Sequence, residues 1–284
     1  MSFFATDLDL SSVLFDTLLW TGALIALVLV LRRPVTRWFG APAAYALWLL
    51  PALRLVLPPL ELPAWLAPAQ TPPLPVEAAV VTQANAVDVA AALPTAIPEI
   101  VSEPSFADSA VAVLSSLPLT ELALMTWLGG AAAFLYLRFS AYFRLRAELT
   151  EGAREVGTAN GPLRKIRLIE TPGTTGPLAF GVLEPVIALP EGFMASVDRE
   201  ARDLALAHEF EHHRGHDLLI NILVQPLFAL HWFNPLGRYG WLALRRDQEA
   251  ACDARVMATA SRESRAVYAE VIASFAAGPN VALA

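Results

Sequence analysis

The chain has 284 residues, enough for one large domain or two small ones, of which 56% are hydrophobic and only 17% charged. That apolar share, with a mean hydropathy of +0.50, excludes an ordinary soluble domain throughout. The formal charge of −7 comes with no basic patch, so nucleic acid is not an expected partner, and the single cysteine, Cys252, excludes an internal disulfide framework.

Taken in chain order, the acidic N-terminus (Asp7, Asp9) does not read as a signal peptide. Three stretches, 11–31, 41–60 and 117–137, each approach the ~20 residues that cross a hydrocarbon core. Buried core helices have a similar composition, but tryptophans near several ends favour spans. The second stretch is weakened by Pro51 and Arg54. Arg32, Arg33 and Arg37 follow the first, and Arg138, Arg144 and Arg146 follow the third. Between them, residues 61–116 hold six acidic residues and no Lys or Arg. The positive-inside rule then predicts a multi-pass membrane protein with its N-terminus and the 61–116 loop outside. The expected organisation is two spans joined by a cytoplasmic turn (1–60), an extracytoplasmic Pro/Ala-rich acidic loop (61–116), a third span (117–137) and a cytoplasmic domain (138–284). The loop reads as extended or disordered linker, with a binding role left open.

In the cytoplasmic part, residues 164–171 alternate as a strand, and 177–193 predict a strand or hairpin broken at Gly181 and Pro185. Proline is tolerated at sheet edges, so 182–189 is the expected edge on which an extended peptide would pair, with Val186, Ile187 and Ala188 facing or underlying it. A helix is expected from Asp198, its N-cap, to about His216.

That helix carries "HEFEH", with His208 and His212 one turn apart on one face. The spacing lets two imidazoles reach one Zn2+ at ~2 Å while Glu209 lies beside them as a general base. Incidental histidines on a solvated face are the competing reading. A second helix-like stretch, 245–256, offers Glu249 as third metal ligand and Asp253 as acceptor for the free N–H of a liganding histidine. The apolar stretch 218–236 separates the two motifs. If it crossed the membrane they could not share an ion, so it is expected to stay on one side, buried or against the membrane surface. His216 is a candidate accessory ligand, and His231 or Arg245 a candidate oxyanion stabiliser. Cys252 reads as small core packing.

"HEFEHHRGHD", "FNPL", "RRDQEAACDA" and the upstream "GVLEPVIALP" occur in the order seen in the BlaR/MecR-like antirepressor family of membrane zinc metallopeptidases, which the chain resembles. The resemblance implies an α-helical membrane protein with a cytoplasmic α+β gluzincin-like zinc peptidase domain. It implies that His208, His212 and Glu249 bind zinc and that Glu209 is the base. It also implies a signal transducer that cleaves itself or a cytoplasmic regulator such as a transcriptional repressor. The β-lactam sensors of that family carry a fourth span and a sensor domain that these residues lack, so antibiotic sensing is not carried over. Two alternatives stand beside it: an HtpX-like quality-control protease, and a non-catalytic receptor or scaffold stabilised by zinc.

Overall fold

The first apolar run folds as α1 (Leu10–Phe39), 30 residues of unbroken helix. The computed structural model describes residues 10–57, 118–261 and 264–268. Residues 1–58 and 123–284 form one unit and 59–122 another. The acidic loop expected at 61–116 lies outside the described residues.

Among the described residues, α1 and α4 (Leu119–Thr150) are the two helices long and apolar enough to cross a membrane. The second expected span is not one helix. It divides into α2 (Ala41–Ala46) and α3 (Leu49–Val56), parted by a turn at 47–48. Each is too short to cross ~30 Å at 1.5 Å per residue. Pro51 sits in the first turn of α3, where its missing N–H costs no helical bond. The third stretch is one helix, α4, which continues past Arg138 for about three further turns.

The apolar stretch 218–236 is likewise divided. It makes α7 (Asp217–Leu223) and α8 (Gln225–Leu230), then a turn into α9 (Pro235–Thr259), so it forms no membrane-length helix. The buried side of these helices meets α1, α2 and α3 in one core containing Ile25, Val28, Trp48, Leu227, Phe228 and Leu244. Close approach of α1 to α9 depends on Gly240. A methyl there would stand 2.9 Å from Ile25 Cγ2 and 3.2 Å from Phe228 Cε1.

The sheet has the order β1-β2-β4-β3, with β1 (Arg154–Asn160), β2 (Lys165–Thr171), β3 (Leu178–Phe180) and β4 (Val186–Pro190). β2 and β4 run parallel, and the other pairs are antiparallel. The hairpin from β3 to β4 turns at Gly181, whose φ of +80° suits glycine. Side chains of β4 alternate between two cores. Ile187 and Leu189 pack toward α6 (Arg199–Arg214), while Val186 and Ala188 pack with Leu149 at the end of α4.

This overturns the expected edge strand. β4 has β2 on one side and β3 on the other, and Val186, Ile187 and Ala188 are all buried. A continuous apolar run such as "VIAL" is what a strand covered on both faces requires. Pro185 precedes the strand and breaks no ladder bond within it. The edge beside α6 belongs to β3.

One buried acid ties the sheet to the short helix α5 (Phe193–Ser196). Glu170 on β2 accepts from Met194 N at 3.2 Å and from Arg154 at 3.1 Å. Burial works to raise its pKa, but bonds from the Met194 N–H, Arg154 and the Gly192 N–H outweigh it and hold the carboxyl below its ordinary range. A depressed folded-state pKa gives stability that is complete above the unfolded value of ~4.3 and lost as pH falls through the folded one. Replacing Glu170 by Gln is therefore expected to lower the thermal midpoint at pH 7. The gap from wild type should narrow as pH falls below the unfolded value and close once it has passed the lower folded one, in melts followed by circular dichroism.

Candidate metal centre

Helix α6 begins where Asp198 accepts from the N–H groups of Glu200 and Ala201, as its N-cap position predicts. Its inner face carries Ala205, His208 and Glu209 into the core and holds His212 at the rim. α9 crosses beside it and brings Glu249. Three atoms converge. His208 Nε2 and His212 Nε2 are 3.2 Å apart, and each is 3.5 Å from Glu249 Oε2.

The opposite ring nitrogens explain this convergence. His212 Nδ1 lies 2.9 Å from Asp217 Oδ2, a carboxylate that can only accept, so Nδ1 carries the proton. The Tyr268 hydroxyl donates to Asp253 Oδ1 at 2.7 Å and therefore accepts from His208 Nδ1, also at 2.7 Å. Asp253 Oδ1 is itself 3.2 Å from that nitrogen. Both Nε2 lone pairs are thus aimed at each other and at a carboxylate oxygen. Three acceptors this close repel one another unless a cation lies between them.

The surroundings favour positive charge at this place, carried by a proton or by a metal ion. Burial opposes charge on His212, yet the bonds to Asp217, Cys252 and Glu249 outweigh it and push the ring up to about 12. His208 is raised too, against burial, chiefly by Asp253, Cys252 and Glu249. Glu249 is held well below the carboxylate range, because its bonds to His208 and His212 outweigh burial.

The donor set fits zinc. Tetrahedral coordination at ~2.0–2.1 Å places donors roughly 3.3–3.4 Å apart, close to the separations found here. Cys252 offers a rival third donor, since its thiol lies within 4.8 Å of the ring nitrogens of both histidines. It is the poorer one. Its Sγ is 3.8 Å from His208 Nδ1, the nitrogen already engaged by Tyr268, and 3.4 Å from the His208 carbonyl. Cys252 is fully buried and packs beneath His208.

Glu209 is buried beside the three donors, and its Oε2 accepts from Ala179 N on β3 at 2.6 Å. Burial pushes its carboxyl up, opposed by the two histidines. A carboxylate buried in this way takes up a proton more readily than an exposed glutamate.

The remaining candidates fall elsewhere. His231 is buried with Nε2 on Thr21 of α1 at 2.9 Å and Nδ1 near Asn234 at 3.1 Å, so neither ring nitrogen is free for an oxyanion. Arg245 turns to Gln248 and to Glu249 Oε1, the latter at 3.4 Å, and steadies a donor rather than a transition state. His216 is exposed at the turn before α7, with a φ of +56°, and does not join the three donors. His213 donates to the Val186 carbonyl at 3.2 Å and fastens α6 to β4.

Sequence reasoning missed Asp217, Tyr268 and the Ala179 N–H. Asp217 stands five residues after His212 inside "HEFEHHRGHD", where an acid within reach of a liganding histidine was a usable signal.

Against this geometry, the family described as BlaR1 peptidase M56 matches residues 12–283. The chain belongs to that family. It is similar to the regulatory protein BlaR1 of Bacillus licheniformis, 34% identical over 113 residues, which are 39% of this chain and 18% of the relative. It is also similar to the methicillin resistance mecR1 proteins of Staphylococcus aureus and Staphylococcus epidermidis. Both are 24% identical over 165 residues, 54% of this chain and 28% of each relative. The aligned stretches thus span less than a third of these relatives' lengths.

Proposed function

We propose that the chain is a zinc metalloendopeptidase of the bacterial inner membrane, with its N-terminus outside and its peptidase domain in the cytoplasm. The observation that carries this reading is the convergence of His208 Nε2, His212 Nε2 and Glu249 Oε2 with Glu209 alongside. A purely structural site has no use for a buried carboxylate at that place.

When bound, zinc supplies Lewis acidity and draws the pKa of a coordinated water toward ~7. The protein's own groups do the rest. Glu209 takes the water's proton and delivers it to the leaving amine. Asp217, and Tyr268 with Asp253, keep the protons of the two histidines on Nδ1. Arg245 holds the second oxygen of Glu249. An extended substrate lies along β3, the edge strand beside α6, and competes with Glu209 for the Ala179 N–H.

The substrate we infer is the chain itself or a cytoplasmic regulator such as a repressor. The word "regulatory" in a relative's name supports this class, and α1 and α4 supply candidate membrane anchors. The test is cleavage by the full chain in detergent, read by mass spectrometry of new peptide termini. Chelation is expected to abolish cleavage and added zinc to restore it. Cleavage that persists through chelation would remove metal chemistry from the account.

A further inference from the structure

Gln248 immediately precedes the third donor and is fully buried. A primary amide has two N–H donors and a carbonyl with two lone pairs, and here all are used. Nε2 donates to the Tyr45 hydroxyl at 2.8 Å and to the Asp217 main-chain carbonyl at 3.2 Å. Oε1 accepts from Asn221 Nδ2 at 3.2 Å and from the Arg245 guanidinium.

Two of these partners lead to opposite sides of the metal centre. Asp217 holds His212 through its carboxylate, and Arg245 reaches Glu249 with its other terminal nitrogen. Tyr45 leads away from it, 203 residues earlier on α2. The residue before Gln248 is attached to the same N-terminal helices. Asp247 receives Arg32 of α1 through two nitrogens at 2.5–3.1 Å and the Trp48 indole N–H at 2.9 Å. Three successive residues of α9 therefore bind α1 with the segment between α2 and α3, then α2, then the metal centre.

We propose that Gln248 and Tyr45 are positioning residues that place the donor geometry of the metal centre under control of the N-terminal helices. This rests on the metallopeptidase reading and adds its regulation. A shift of α2 that withdraws the Tyr45 hydroxyl leaves a buried N–H without an acceptor, which is costly. The amide must then re-pair, and its bonds to Asp217 and Arg245 change with it. Those bonds set the Nδ1 partner of His212 and the free oxygen of Glu249. Motion of the N-terminal helices thus reaches two of the three donors through Gln248, and Tyr45 also faces the Asp217 carboxylate directly.

Bonded neighbours establish a path, whereas coupling is measured by a double-mutant cycle. The probe is zinc alone, titrated against a competing chelator in the purified full chain. Tyr45→Phe removes one oxygen and keeps the ring in the α1–α9 core. It is expected to weaken zinc binding about tenfold, and Gln248→Leu about 10–100-fold, the range for partners of metal ligands. The double variant should fall well short of the sum of the two effects, because Tyr45 acts largely through Gln248. Gln248→Glu keeps the shape and the bonds from Asn221 and Arg245 but loses both donors, so its effect should lie between those of Tyr45→Phe and Gln248→Leu, and it serves if the leucine variant does not fold. Thermal melts of the metal-free proteins check that each fold is intact.

Binding by Tyr45→Phe within about twofold of wild type, or effects of the two substitutions that add, would overturn the proposal. A His208→Ala control separates this from the larger reading. If His208→Ala loses zinc while Tyr45→Phe retains wild-type affinity, only the positioning role fails. If His208→Ala binds zinc like wild type, the metal centre itself is misassigned.

Discussion

Glu209→Gln is expected to lower the cleavage rate by about 10²–10⁴-fold while leaving zinc content unchanged. The amide keeps the size of the carboxylate but cannot take a proton from water. The position also bonds Ala179 N through Oε2, and an amide oxygen can accept the same bond, so the contact between α6 and β3 should survive. The measurement is kcat and bound zinc on one preparation of each protein. Full activity in the variant would remove Glu209 as the base. Loss of zinc together with activity would show that the residue is needed for the fold of the site.

Asp247→Ala should have the largest effect on stability. Asp247 is buried between Arg32 of α1 and the Trp48 indole, and both lose their acceptor when it is removed. Deleting one partner of a buried ion pair leaves an uncompensated charge and typically costs about 3–5 kcal/mol. The unfolding transition in detergent is expected to fall by several degrees or more, and Arg32→Ala, which leaves the more deeply buried Asp247 with only the Trp48 N–H, should fall comparably. An Asp247→Ala midpoint within a degree or so of wild type would mean that the pair is solvated and contributes little.

The helix of the candidate metal centre and the spacing of the candidate donors were legible in the sequence because these features are local. His208 and His212 are one turn apart, Asp198 caps the helix that carries them, and Glu249 and Asp253 repeat the same spacing on α9. The outer partners were not legible. Tyr268 meets His208 from 60 residues away, and Tyr45 meets Gln248 from 203 residues away, so no window along the chain contains both members of either pair. The β4 misreading has a different cause. Pro185 was weighed as an edge signal, although the unbroken apolar run after it signalled burial on both faces. The second span failed for a simpler reason. Its composition reached membrane length, but the helix is interrupted at 47–48 and packs against α1 and α9, where Trp48 and Tyr45 find polar partners.

The central claim is that His208, His212 and Glu249 hold one zinc ion while Cys252 does not. Zinc stoichiometry of the purified full chain tests it most directly, in wild type, His208→Ala, Glu249→Ala and Cys252→Ser. The account predicts about one equivalent in wild type and in Cys252→Ser, and less than about a tenth in the other two. Zinc retained in Glu249→Ala but lost from Cys252→Ser would contradict it.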